Sequence, residues 1–140
     1  MMRLKQLYTA GKWDVLAPVS PNGVCEVEDA IWELKSGAKT KAIGVGFVVL
    51  WSRIPVHGPR ELGTDKYHRI DAKHSIYEFI KGSYRLLCFE ADGAIVVCSH
   101  IFRKTSKKTP AKEKAKAIEL KNAYLKNIKE GKIKIDNGGD

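Results

Sequence analysis

Three strand-like runs, separated by two short turns, restrict the fold of this chain more than any other feature. Residues 75–80, 84–89 and 94–102 are rich in aromatic and β-branched side chains, and Lys81-Gly82 and Asp92-Gly93 stand between them as hairpin turns. With two residues in each loop, Glu78 lies opposite Arg85, and Arg85 lies opposite His100, as one row across three strands. Side chains alternate along a strand, so one face then holds Tyr77, Phe79, Tyr84, Leu86, Cys88, Ile95, Val97 and Ile101. That apolar face is expected to pack on helices. The other face carries Glu78, Arg85, His100 and Lys104 at one end and Ile76, Leu87, Phe89 and Val96 towards the other. A sheet with one dry face and a charged row on the second invites a ligand onto the second. The same register sets Cys88 and Cys98 on opposite faces, where they should not pair.

The remaining elements can be read from periodicity and punctuation. Residues 12–19 form an opening strand ended by Pro18, Pro21 and the Asn22-Gly23 turn signal. Val27, Ala30, Ile31 and Leu34 recur at helical spacing up to Ser36-Gly37. A second helix is expected over residues 39–53, with Ile43, Phe47, Leu50 and Ile54 on one face. Gly44 and Gly46 weaken it by up to about 1 kcal/mol each. Pro55 and His57-Gly58-Pro59 stop it, and strand texture begins at Tyr67. Thr109 as N-cap and Pro110 at the first helical position open a last helix reaching about Lys129, with Ala117, Leu120, Tyr124 and Ile128 as its stripe. No repeat or linker interrupts the 140 residues, so one domain over residues 1–140 is expected.

The charge points to an acidic partner. The chain carries a net +9 with a pI near 9.5, which suits nucleic acid, an anionic surface or an acidic protein. From residue 102 to 140 there are 12 Lys and Arg against 5 Asp and Glu, a net of +7. A lysine-rich helix kept only for solubility is the plain alternative. The longest apolar-rich stretch, residues 42–51, is too short to span a membrane and contains two glycines. No secretory leader pattern opens the chain. The odd count of three cysteines, without C-x-x-C or zinc spacing, fits reduced thiols in a cytoplasmic protein with no membrane partner.

The order Ile76-Tyr77-Glu78-Phe79, Tyr84-Arg85-Leu86-Leu87, His100-Ile101-Phe102-Arg103-Lys104 and Lys108-Thr109-Pro110 resembles the phage-derived, HigB-like branch of the RelE/ParE toxin superfamily. Those proteins show an acidic strand residue, a Y-R strand and a closing F-x-K-K-x-x-K-T-P run before the last helix. The resemblance covers residues 58–117. It implies an α+β, RelE-like domain in which a curved antiparallel sheet packs on two N-terminal helices, with a C-terminal helix after it. It also implies the toxin of a type II toxin–antitoxin pair, cleaving messenger RNA on the ribosome without a metal. The partners would be a cognate antitoxin, of helix-turn-helix type, with mRNA and the ribosome.

The residues suit that chemistry. Attack of a ribose 2′-OH on its neighbouring phosphate needs cations at the phosphoryl oxygens and proton transfer at both ends. Arg85, Lys104 and Lys108 supply fixed charge, His100 can move a proton, and Glu78 orients Arg85. Arg103, Lys107 and Lys112 are candidates for holding RNA. Each has a structural alternative: a cross-strand ion pair for Glu78 and Arg85, a satisfied sheet histidine for His100, a solvated loop for the lysines. Two departures bear on catalysis. The second lysine of the K-K pair is Thr105, and the relatives' Glu-Leu-Arg reads Glu78-Phe79-Ile80, without the arginine. A non-catalytic binding protein on the same fold, inhibiting a host factor such as gyrase, and a basic nucleic-acid-binding module are therefore kept as alternatives. No cofactor is expected. Phosphate-binding loops and nucleophile elbows are missing, and His57, His68 and His74 are scattered in sequence rather than spaced as a metal-binding set.

Overall fold

The structure, a computed structural model, describes residues 1–136; the last four residues of the expected domain lie outside them. It opens with a strand that the sequence pattern left unassigned, β1 (Met2–Thr9), followed by β2 (Asp14–Val19). Then come α1 (Glu26–Ser36), α2 (Lys41–Ser52), a 3₁₀ turn at Pro59–Leu62 and four strands: β3 (Tyr67–Asp71), β4 (Ile76–Lys81), β5 (Tyr84–Ala91) and β6 (Ile95–Arg103). Helix α3 (Ala111–Lys129) and a short β7 (Ile133–Asp136) follow. Pro18 does not end β2. It sits where β2 has run past its pairing with β6, so its missing N–H costs no ladder bond on that side.

The seven strands form one sheet in the order β3-β4-β5-β6-β2-β1-β7. It is mixed rather than antiparallel, because β2 joins β6, and β1 joins β7, in parallel. Two strands precede the two helices, so these helices are not N-terminal. The architecture is α+β, with three helices against the seven-stranded sheet. No helix among the described residues is long and apolar enough to cross a membrane.

Helices cover both faces. On one, Val27 and Ile31 of α1 and Phe47, Leu50 and Trp51 of α2 pack against Tyr77, Phe79, Leu86 and Cys88. Each fully buried large side chain in this layer contributes about 1.5–3 kcal/mol. The glycines of α2 serve close approach. A Cβ on Gly44 would stand 2.7 Å from Lys35 Cγ and 2.9 Å from its backbone N, and a Cβ on Gly46 would strike the Lys81 side chain. On the other face α3 lays Ala117 and Tyr124 over Ile76, Leu87 and Phe89. Pro110 is the N-cap rather than the first helical residue, Thr109 lies outside the helix, and Ile128 at the end of the expected stripe is exposed.

The hairpin registers depart from the expected ones in two instructive ways. The first turn falls on Gly82-Ser83, with Lys81 opposite Tyr84 and Glu78 opposite Leu87. Glycine in the first turn position, at φ +57°, fits a type II′ loop and moves the pairing by two residues, so every side chain keeps its face. In the second hairpin three residues, 92–94, make the loop, and a bulge at Ser99 shifts the pairing between Leu87–His100 and Cys88–Cys98. Beyond the bulge the faces exchange: Val96 joins the α1–α2 layer, while Val97 joins the α3 layer. Arg85 therefore faces Phe102 rather than His100, and Cys88 and Cys98 lie directly opposite each other instead of on separate faces. Both cysteines are free and buried, and burial pushes both thiols well above their ordinary pKa.

Candidate functional site

In the row that runs Glu78–Leu87–His100 across β4, β5 and β6, a carboxylate is buried between strands. Glu78 of β4 is 1% exposed, and His68 lies directly opposite it on the edge strand β3. His68 Nε2 stands 2.8 Å from Glu78 Oε2. Arg85 reaches the same oxygen diagonally from β5, with Nε at 3.5 Å, while its Nη1 donates to the carbonyls of Gly82 (2.9 Å) and Tyr84 (3.0 Å). The guanidinium is thus clamped over the β4–β5 turn. Glu78 Oε1 is buried and has no hydrogen-bond partner among the described residues.

The two ring nitrogens of His68 face different acceptors. His68 Nδ1 faces the Thr64 carbonyl at 3.0 Å, and its Nε2 faces a carboxylate. Both partners accept, whereas a neutral imidazole carries a single N–H. The His68 side chain is 38% exposed, so its side of the pair borders solvent.

A second histidine sits on the same face and is held differently. His100 of β6 is 3% exposed; its Nδ1 meets Ser99 Oγ at 2.8 Å and its Nε2 meets Glu113 Oε1 of α3 at 3.0 Å. A neutral ring that donates from Nε2 and accepts the serine hydroxyl satisfies both. Burial lowers its pKa, Lys116 adds to that, and Glu113 opposes it. His100 fastens the first turn of α3 to the sheet, with Phe102 packed beside it at 5.9 Å between rings.

The basic candidates separate. The Lys104 backbone N donates to Ser83 O at 2.7 Å, which keeps this residue at the turn end beside Arg85. Lys107 and Lys108 are exposed in the loop before α3, and Lys112 is exposed in its first turn. None of these lysines forms an ion pair among the described residues. Arg103 pairs across from Tyr84, and so lies on the α1–α2 face, opposite to Arg85. The structure thus brings Glu78, Arg85 and Lys104 to one sheet end, sets His100 under α3 and places Arg103 on the reverse side.

His68 is the residue that sequence reasoning passed over. The strand texture from Tyr67 onward carried the signal: a β3–β4 hairpin places His68 against Glu78. Among the described residues no three His, Cys, Asp or Glu side chains gather to hold a metal ion.

No match to the chain was found among curated proteins. Residues 38–122 match the family described as phage derived protein Gp49-like (DUF891), more than half of the 140 residues. The matched span runs from just before α2 through β3–β6 and into α3. It contains all of the Glu78 and His100 clusters and leaves β1, β2, α1 and β7 outside. By this match, the chain belongs to the phage-derived Gp49-like family.

Proposed function

We propose that the chain is the toxin of a type II toxin–antitoxin pair, of RelE-like, HigB-related fold, that binds messenger RNA on the ribosome in the cytoplasm and cuts it without a metal. The observation that carries this reading is the buried Glu78 held between His68 and Arg85, with Lys104 at the turn beside Arg85. Family membership and the net charge of +7 after residue 101 support it. A helix-turn-helix antitoxin would keep the site inactive.

In this reading a ribose 2′-OH attacks the adjacent phosphorus and the bond to O5′ breaks, leaving a cyclic phosphate. The 2′-OH proton leaves to solvent. Arg85, with Lys104 and Lys108, takes up the charge that grows on the phosphoryl oxygens. His68, held by Glu78, gives a proton to the departing O5′. Lys107 and Lys112 hold the flanking backbone.

One pair of observations favours a non-catalytic reading: both nitrogens of His100 are occupied, and Ile80 stands where relatives have arginine. The same fold would then inhibit a host factor such as gyrase by binding it, or serve as a basic nucleic-acid module. Induced expression separates the readings. Growth should stop, new mRNA 5′ ends should map within ribosome-bound messages, and EDTA should leave cleavage of purified message unchanged. Arg85→Ala, at matched levels of folded protein, should lower cleavage about 10²–10³-fold. If growth stops without new mRNA ends, the binding-protein reading replaces cleavage.

A further inference from the structure

On the reverse side of the same sheet end, a row of three side chains crosses β4, β5 and β6. Lys81 pairs opposite Tyr84, and Tyr84 pairs opposite Arg103. Tyr84 thus stands between two basic residues in the row, about 4.8 Å of strand spacing from each, with the Lys81 stem lying along Gly46 of α2. Neither cation forms an ion pair among the described residues. Beside the row, a cleft of about 470 Å³ opens between the end of α1 and the strands, with Leu34, Tyr84, Ile101, Glu33, Thr40 and Arg103 along its walls. The volume is ample for a nucleobase. Tyr84 is half-buried, so its ring is fixed by packing while part of it stays accessible.

Glu33 gives the cleft its chemical preference. Its carboxylate is exposed at the cleft wall and has no salt-bridge partner among the described residues, on a chain rich in lysine. Thr40 offers no competing donor, because its Oγ1 donates to the Leu34 carbonyl at 2.7 Å. A carboxylate beside a stacking ring accepts from paired N–H groups. Among the RNA bases, guanine presents an imino and an amino N–H side by side on its Watson–Crick edge.

We propose that this cleft is a subsite for one unpaired guanine of single-stranded RNA, stacked on Tyr84, hydrogen-bonded to Glu33 and with its flanking phosphates on Lys81 and Arg103. The subsite rests on the RNA-binding reading given above and adds to it the face by which a base is read. Tyr84 and Arg85 are neighbours in sequence on opposite faces of β5, so a strand bound at Tyr84 has only to round the β4–β5 turn to reach Arg85.

Fluorescence anisotropy tests the proposal, with the full chain and short oligouridylates that carry one central guanosine, inosine or adenosine. Wild type should bind the guanosine oligonucleotide more tightly than the inosine or adenosine ones, by about 10-fold. Tyr84→Ala should weaken binding about 10- to 100-fold, and Tyr84→Phe should preserve it, since stacking needs only the ring. Glu33→Gln, on an exposed helix position, should erase the guanosine preference. If wild type binds RNA but all three oligonucleotides equally, or if Tyr84→Ala and Glu33→Gln bind as wild type, the subsite is overturned and the toxin reading stands. If wild type binds no RNA and releases no new mRNA ends, RNA cleavage fails and the subsite falls with it.

Discussion

The face of the sheet that meets α3 carries two histidine–glutamate pairs that are built as inverses. In the pair at the open end, the carboxylate of Glu78 is buried at 1% exposure and His68 is 38% exposed. In the pair under α3, His100 is buried at 3% exposure and Glu113 is 19% exposed. The same two residue types therefore do different work. A buried carboxylate leaves the imidazole beside it facing solvent, whereas a buried imidazole with a partly exposed carboxylate ties a helix to a sheet. In the proposed function the first pair does the chemistry and the second the fastening, and what distinguishes them is which partner is buried, not residue type.

The largest effect should come from the buried carboxylate. Glu78→Ala leaves Arg85 and His68 without their counter-charge, and breaking a buried pair on one side costs about 3–5 kcal/mol. Urea denaturation should show that loss, and near-wild-type stability would break the comparison at its first term. His68→Ala should be smaller in stability but should lower cleavage about 10²-fold, as expected for removal of a proton-transfer group. His100→Ala should do the opposite. Its unfolding free energy should fall by about 2 kcal/mol, since Ser99 and Glu113 lose their partner, while cleavage per folded molecule is kept. Equal kinetic losses from the two histidines would merge the two pairs into one site.

The smallest effect is the pH response of the fastened pair. His100 holds a depressed pKa, chiefly from burial, so the folded chain keeps it neutral while the unfolded chain still binds a proton. Stability then rises with pH. The contribution is complete above the ordinary histidine value of about 6.5 and fades as pH falls below it. Thermal melting from pH 7 to pH 5 should show this decline, and His100→Phe should reduce it.

Much of the fold was legible because its signals are local. The helical spacing of Val27, Ile31 and Leu34, the stops at Pro55 and Gly58, and the strand runs around Gly82 and Gly93 each depend on neighbours within a few residues. What was missed depends on distant partners. β1 buries only Leu4 completely and is held by β2 and β7, while β7 has four residues, too few for a pattern. The first hairpin was misread by two residues, an error that leaves Glu78 and Arg85 on one face. The second was misread by one residue past Ser99, an error that exchanges Val96 and Val97. At the site, Glu78 and Arg85 could be joined from their strand positions alone. His68 needed the register of β3, and the burial of His100 needed the path of α3.

The parallel seam between β2 and β6 has a consequence for how the sheet is assembled. Three residue pairs join these strands: Asp14 with Ile95, Val15 with Val96 and Leu16 with Val97. On one side of the seam is a meander whose strands meet their neighbours in sequence, and closing short loops is fast. On the other side is a ribbon whose join to that meander spans some eighty residues, a closure that carries a larger entropy cost. The meander should therefore form early as a self-contained ribbon, with the seam stitched late. Its three pairs also lie on the stretch of β6 whose facing was reversed by the bulge. A single extra residue at Ser99 thus sets which surface of the early ribbon is offered to the late one.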